Sequence, residues 1–279
     1  MTHSYRMMAA TLTALLLTQP AAAAERFECL LEPMVVAQVG SPVQGVLGEL
    51  LVDRSEFVDR HQPVAALQSR VEQANLEQAK ARAAMRAEIA ARKADLELAE
   101  HNMSRLEDLH SRQMIPTQQR DEAAAQLEIA MAALKQAREN QRLYQHERQR
   151  AQELLEQRTI RSPVDGVVVE HTAFPGEFIY DNPVMTIAQI DPLRVEVVLP
   201  ASKFGEFKPG DQAVVFPELG STTPLTAEVQ VVDRVLDTRS GTYGVRLTLP
   251  NPELTIPGGQ KCYLEFNSKV TSKDVVASR

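Results

Sequence analysis

Ser41-Pro42-Val43-Gln44-Gly45-Val46 returns later in the chain as Ser162-Pro163-Val164-Asp165-Gly166-Val167. The match continues at the same offset, where Glu56-Phe57-Val58 is echoed by Glu177-Phe178-Ile179. After a one-residue deletion, Pro63-Val64 matches Pro183-Val184, and Leu67 matches Ile187. Both copies alternate apolar residues with Gly, Pro, Asp and Asn at turn positions, which is a strand-and-turn pattern. Neither copy is long enough to bury both faces of its strands. Packing the two on each other as one small β-sandwich solves that problem for both.

The stretch between the copies has a different character. Residues 70–158 contain no Gly, and Pro116 is their only Pro, so they predict long helices with one interruption. In the first arm Met85, Ile89, Leu96, Ala99, Met103 and Leu106 lie near a heptad seam, with Arg82, Arg92 and His110 intruding on it. In the second arm Leu127, Leu134, Gln141, Arg148 and Leu155 recur every seven residues. Ala130, Ala137, Tyr144 and Ala151 follow the first four of these by three. That is a coiled-coil stripe with small residues allowing close approach. Pro116 pushes Ile115 out of helical geometry. Thr117 is the expected N-cap of the second arm, with Asp121 and Glu122 early in that helix. The result is an antiparallel helical hairpin whose arms, about 43 residues each, make a rod roughly 65 Å long. Both ends of the rod return to the same sandwich, which is the layout of a reaching device.

After Ile190 the pattern changes again. Residues 194–199, 212–216, 225–236, 242–249 and 261–266 read as strands, and 201–207 as a short helix closed by Lys208-Pro209-Gly210. Several strands with turn residues between them predict a small antiparallel barrel. At the other end, His3 and Arg6 precede a mostly apolar run from Met7 to Leu17. Pro20 ends the run, and Ala21-Ala22-Ala23-Ala24 offers a small-residue cleavage site. The run is about 11 residues, against roughly 20 for a membrane span, so a signal peptide is the expected reading and a retained anchor the weaker one. The expected organisation is a signal peptide at 1–24, an N-terminal segment with the first half-motif at 25–69, the hairpin at 70–158, the second half-motif at 159–190, the barrel at 191–268 and a polar tail at 269–279.

Composition narrows the function. Trp is absent and aromatics make up 5% of the chain, less than a large single globular core usually holds. The formal net charge is −7 and no Lys/Arg-rich run is present, which excludes a nucleic-acid footprint. No nucleotide-binding Gly loop or nucleophile motif is present, and the hairpin's acidic residues alternate with basic ones as on a solvated face. The six His are scattered, with no metal-ligand spacing. Met85, Met103 and Met131 read as core filler. Cys29 and Cys262 form no C-x-x-C motif. An oxidising compartment permits them to pair, tying together the ends of the exported chain; two buried free thiols are the alternative.

Thr159-Ile160-Arg161-Ser162-Pro163-Val164-Asp165-Gly166-Val167-Val168, then Pro175-Gly176-Glu177-Phe178-Ile179, then Ile190-Asp191-Pro192-Leu193-Arg194-Val195 carry a family resemblance. They resemble the membrane fusion protein family, the HlyD-like periplasmic adaptor subunits of efflux pumps. Val245-Arg246, Leu249-Pro250-Asn251-Pro252 and Ile256-Pro257-Gly258-Gly259 are similar to that family's barrel. The resemblance implies an elongated α+β fold: a split lipoyl-like β-sandwich with an inserted antiparallel coiled-coil hairpin, followed by a small antiparallel β-barrel. Lipoyl and biotinyl domains carry their cofactor on a Lys in a tight turn between the halves. Here the helical hairpin stands at that junction, so no cofactor is expected. The family has Gly where this chain has Ser55 and His61, whereas Gly176 keeps the corresponding turn in the second half. Gly serves positions that need positive φ, so the first-half turns are expected to be reshaped.

The resemblance also implies partners. The barrel would meet an inner-membrane transporter of the resistance-nodulation-division (RND) class, with an ABC-type exporter as second choice. The chain would self-associate into a hexameric ring. The hairpin tip would dock a TolC-like outer-membrane channel. Adaptors that do so carry an Arg, a Leu four residues later and a Ser seven further on. Arg105 and Leu109 match, Pro116 stands at the Ser position, and Thr117 follows it; these four are the expected docking residues. The implied role is a periplasmic, non-enzymatic adaptor in a tripartite efflux pump, held at the inner membrane by its transporter. Two other readings of the residues stay open at this point: a lipoyl- or biotinyl-type carrier, and a structural coiled-coil protein of the envelope.

Overall fold

The computed structural model describes residues 25–266 apart from Thr222. The signal peptide expected at 1–24 and the tail expected at 269–279 lie outside the described residues. β1 (Arg26–Val39) leads into the first copy of the repeat, which forms β2 (Gly45–Leu50), β3 (Phe57–Val58) and β4 (Pro63–Leu67). Three helices follow, α1 (Arg70–Ala84), α2 (Ala87–Ser111) and α3 (Thr117–Glu156). The second copy forms β5 (Thr159–Arg161), β6 (Gly166–His171), β7 (Phe178–Ile179) and the start of β8 (Met185–Pro200). β9 (Gln212–Pro217), β10 (Leu225–Val232), β11 (Thr242–Leu249) and β12 (Gln260–Phe266) complete the described chain. Two compact units result, Pro33–Asp191 and the segments on either side of it.

Repeat-related residues make the same bonds. Ser41 Oγ donates to the Val43 carbonyl at 2.5 Å, and Ser162 Oγ donates to the Val164 carbonyl at 2.5 Å. β2 pairs with β7 through Gly45 opposite Ile179, and β6 pairs with β3 through Gly166 opposite Val58. The Leu47 N–H donates to the Glu177 carbonyl at 2.8 Å, while the Val168 N–H donates to the Glu56 carbonyl at 3.0 Å. Each copy therefore completes the other's sheet by exchanging a short strand with it. One core serves both: Leu47, Val58, Val64 and Leu67 from the first copy pack with Val168, Ile179, Val184 and Ile187 from the second. Burying such a side chain contributes about 1.5–3 kcal/mol, and a single copy would leave that face in water.

The first-half turns keep positive φ rather than being reshaped. Ser55 and His61 sit at φ 69° and 68°, as Gly176 does at 96°. Each is the third residue of a turn closed by a backbone bond, Glu56 N–H to Asp53 O at 3.2 Å, Gln62 N–H to Asp59 O at 3.0 Å and Glu177 N–H to Phe174 O at 3.1 Å. With positive φ at the third position these are the turn form that Gly ordinarily fills. The strain is held because Glu56 and Gln62 side chains accept the Asp53 and Asp59 N–H groups at 2.8 and 2.9 Å. His61→Gly should thus stabilise the sandwich by about 1 kcal/mol, read as a higher urea midpoint. An unchanged or lower midpoint would show that His61 contributes more than its backbone angle costs.

The hairpin's second arm is one helix, with Ala123, Ala130, Leu134, Ala137 and Gln141 buried along it. The first arm is not one helix. It breaks at Met85, whose φ of −63° and ψ of 124° are extended. Leu76 and Ala83 are seven apart, but the next series, Ile89, Leu96, Met103 and His110, resumes one residue early. An uninterrupted helix would carry the later series about 100° out of phase with α3. Breaking and restarting the helix absorbs the slip. Met85, at the break, is exposed rather than core filler; on the unbroken α3, Met131 is likewise exposed and Arg148 is off the seam. The break frees the Ala83 carbonyl, and the buried Gln141 side chain donates to it at 2.6 Å. At the base, Arg158 donates to the Gln44 carbonyl at 2.9 Å and to Glu72 at 2.6 Å, tying both arms to the first copy.

In the second unit the strand order β1-β12-β9-β10-β11-β8, with β1 also paired to β8, closes a barrel. Its interior follows the period-two rule: Tyr243, Val245, Leu247 and Leu249 of β11 are buried, as are Leu193, Val195, Val197 and Leu199 of β8. Residues 201–207 form only a single 3-10 turn, Ala201–Lys203. There Phe204 packs edge-on to Tyr243 at 5.3 Å, and the Tyr243 hydroxyl donates to the Lys203 carbonyl at 2.9 Å. Burial pushes that hydroxyl above its ordinary pKa. Cys29 stands opposite Cys262 in the β1–β12 register, with Cα atoms 4.9 Å apart and a disulfide between them.

Candidate functional site

The hairpin tip is built by a helix stop without glycine. α2 ends at Ser111, and Gln113 takes φ 60°. The Met114 N–H then donates to the Leu109 carbonyl at 2.9 Å, and the Gln113 N–H to the His110 carbonyl at 2.8 Å. This pair of bonds is a Schellman stop, in which Gly is the usual left-handed residue. Pro116, at φ −66° and ψ 152°, is the N-cap of α3, and it has no side-chain acceptor to offer. This corrects Thr117 as the cap: Thr117 is already the first helical residue, and no side-chain cap bond forms. Pro fits here because its fixed φ suits the entry to a helix and the N–H it lacks would have had no helical partner.

Arg105 and Leu109 lie one turn apart on α2 and so share a face. Arg105 is exposed and donates to Asn102 Oδ1 at 2.9 Å, while Leu109 is half-buried. Pro116 and Thr117 are exposed on the far side of the turn. All four sit at the end of the hairpin, but no hydrogen bond among the described residues joins the two pairs. The arms are cross-linked nearby by Arg120 with Glu107 at 3.8 Å, and Arg112 pairs with Asp108 at 3.0 Å. Such exposed pairs are worth little individually. Met114, 69% exposed, forms the apolar point of the tip. Sequence reasoning passes over Gln113 and Met114, because nothing about a Gln announces a left-handed residue.

The tip presents a cation at Arg105, an apolar edge at Met114 and a turn opened by Pro116. Among the described residues no group of three or more His, Cys, Asp or Glu is placed to hold a metal ion. No described helix is long and apolar enough to cross a membrane.

No protein-family model matches the sequence, and no curated protein matches it. Solved structures do. MacA from Actinobacillus actinomycetemcomitans is 21% identical, with 88% of this chain and 79% of that one covered at a TM-score of 0.71. The membrane fusion protein Spr0693 from Streptococcus pneumoniae R6 is 16% identical, with 88% and 100% covered at 0.54. A MacA–MexA chimera containing the Pseudomonas aeruginosa MexA α-hairpin domain is 19% identical, with 87% and 80% covered at 0.51. The fold of this chain is that of the membrane fusion proteins.

Proposed function

We propose that the chain is a periplasmic adaptor that joins an inner-membrane transporter to an outer-membrane channel in a tripartite efflux pump. One observation carries the reading. The two halves of the repeat exchange strands into a single core, so both ends of a long hairpin are anchored in one body. A rod held at its base has its tip free for a second partner. The sandwich is then a lipoyl-type domain whose junction holds helices in place of a cofactor-bearing turn. Arg105, Leu109, Pro116 and Thr117 face a TolC-like channel, and the barrel meets the transporter, of the RND class before the ABC class. Copies assemble as a hexameric ring whose hairpins line a conduit. The residues at 1–24 act as a signal peptide, and the protein performs no reaction of its own.

Replacing residues 105–120 with a short turn tests this. The variant should keep its disulfide and its sandwich while cells that depend on the pump become drug-sensitive. Unchanged resistance with a correctly folded variant would remove the tip from the mechanism. Cross-linking the exported protein in membranes should also recover a polytopic transporter.

A further inference from the structure

We propose that the barrel carries a binding groove for a lipophilic organic cation, formed where β1, β12 and β8 face outward. The groove has a volume of about 500 Å³ and is walled by Leu30, Val198 and Tyr263. That is the size range of small-molecule sites. These three side chains point away from the barrel interior yet are 47%, 63% and 43% exposed. An outward strand position ordinarily carries a polar side chain.

The charges around the groove select the sign of the ligand. Glu28, Glu196 and Glu218 line it, against Lys261 as the single cation. Glu196 is already bound by Arg194 at 3.3 Å and by Arg246 at 3.2 Å. Glu28 has no ion pair among the described residues. It stands directly opposite Tyr263 in the β1–β12 register, so its carboxylate and the phenol ring lie side by side on one face. A carboxylate beside an aromatic face is the arrangement that holds a cation, by charge and by the ring's quadrupole together. Leu30, opposite Lys261 in the same register, and Val198 supply the apolar wall for the rest of the ligand. The floor is rigid, because the next residue on each strand belongs to the Cys29–Cys262 disulfide.

The inference does not depend on the adaptor reading, and its test uses the purified protein without any pump. Tetraphenylphosphonium is the probe, with tetraphenylborate as its anionic counterpart of the same shape, followed by calorimetric titration. Tetraphenylphosphonium should bind saturably, and more tightly than tetraphenylborate. Glu28→Gln and Tyr263→Ala should each weaken it roughly fivefold while leaving thermal unfolding unchanged, since both side chains are exposed. Arg26→Gln, which lies on β1 outside the groove, should leave binding unaltered. No saturable binding, equal binding of the two probes, or binding indifferent to both groove substitutions would each overturn the proposal.

Discussion

Gly166→Ala is expected to unfold the sandwich under mild conditions, while Gly45→Ala, at the repeat-equivalent position, leaves it folded. A Cβ on Gly166 would lie 2.4 Å from the Ala188 carbonyl oxygen and 2.8 Å from its carbon. Both are backbone atoms of β8, held by the β6–β8 ladder through Val167 opposite Ala188. Neither can move without parting the two strands, so the cost should be about 3 kcal/mol or more. At Gly45 the nearest atom is the end of the Arg158 side chain, at 2.6 Å, followed by Leu67 Cδ1 at 3.2 Å. A guanidinium can swing away. The expected loss is about 1 kcal/mol, from strained bonds between Arg158 and its partners Gln44 and Glu72. Urea unfolding of the two variants separates these outcomes. Equal midpoints would mean that β8 yields as readily as a flexible side chain, and the shared core would then be looser than its packing implies.

That contrast marks the limit of what the repeat reveals. Ser41 and Ser162, Gly45 and Gly166, and the apolar residues that follow them announce two equivalent half-domains, and the fold obeys. Equivalence in sequence does not make the neighbours equivalent: one glycine meets an arginine tip and the other a strand. The hairpin is legible for a similar reason, since a long run without Gly or Pro has few alternatives to a helix. The break at Met85 is harder to see, because a slip of one residue in a heptad series is invisible until the opposite arm fixes the phase. Gln141 looks like a fault in its stripe. It donates to the carbonyl which the break exposes, with Arg86 as a second, longer donor at 3.3 Å. β1 is not legible at all, because Pro33 within it argues against a strand. At the tip, Arg105 and Leu109 can be placed on one face from their spacing alone, whereas the left-handed Gln113 that turns the chain has no signature. The cysteine pairing is also beyond the sequence, since it needs a Cα separation that only the β1–β12 register supplies.

The disulfide leads to the second large effect. Replacing Cys29 and Cys262 together with Ala should destabilise the barrel by about 2–5 kcal/mol and leave the sandwich nearly untouched. The two residues are 233 apart in sequence, so the cross-link removes a very long loop from the unfolded ensemble. Closure entropy grows only logarithmically with loop length, which is why the gain stays within a few kcal/mol. The bond also joins the first strand of the barrel to the last one described, two strands far apart in sequence. The β1–β12 ladder, from Arg26 opposite Glu265 to Leu31 opposite Gln260, with the pairings to β8 and β9, must then retain both strands without the covalent link. The sandwich core contains neither sulfur, and its strands are paired by the repeat. Hydrogen exchange in rising urea distinguishes the units through peptides from β11 and from β6. The double variant should lose protection in β11 at lower urea than the parent protein, with β6 unchanged. If β6 and β11 lose protection together, the two units unfold as one and the disulfide stabilises the whole chain rather than the barrel. If neither shifts, the strand ladder alone accounts for closure of the barrel.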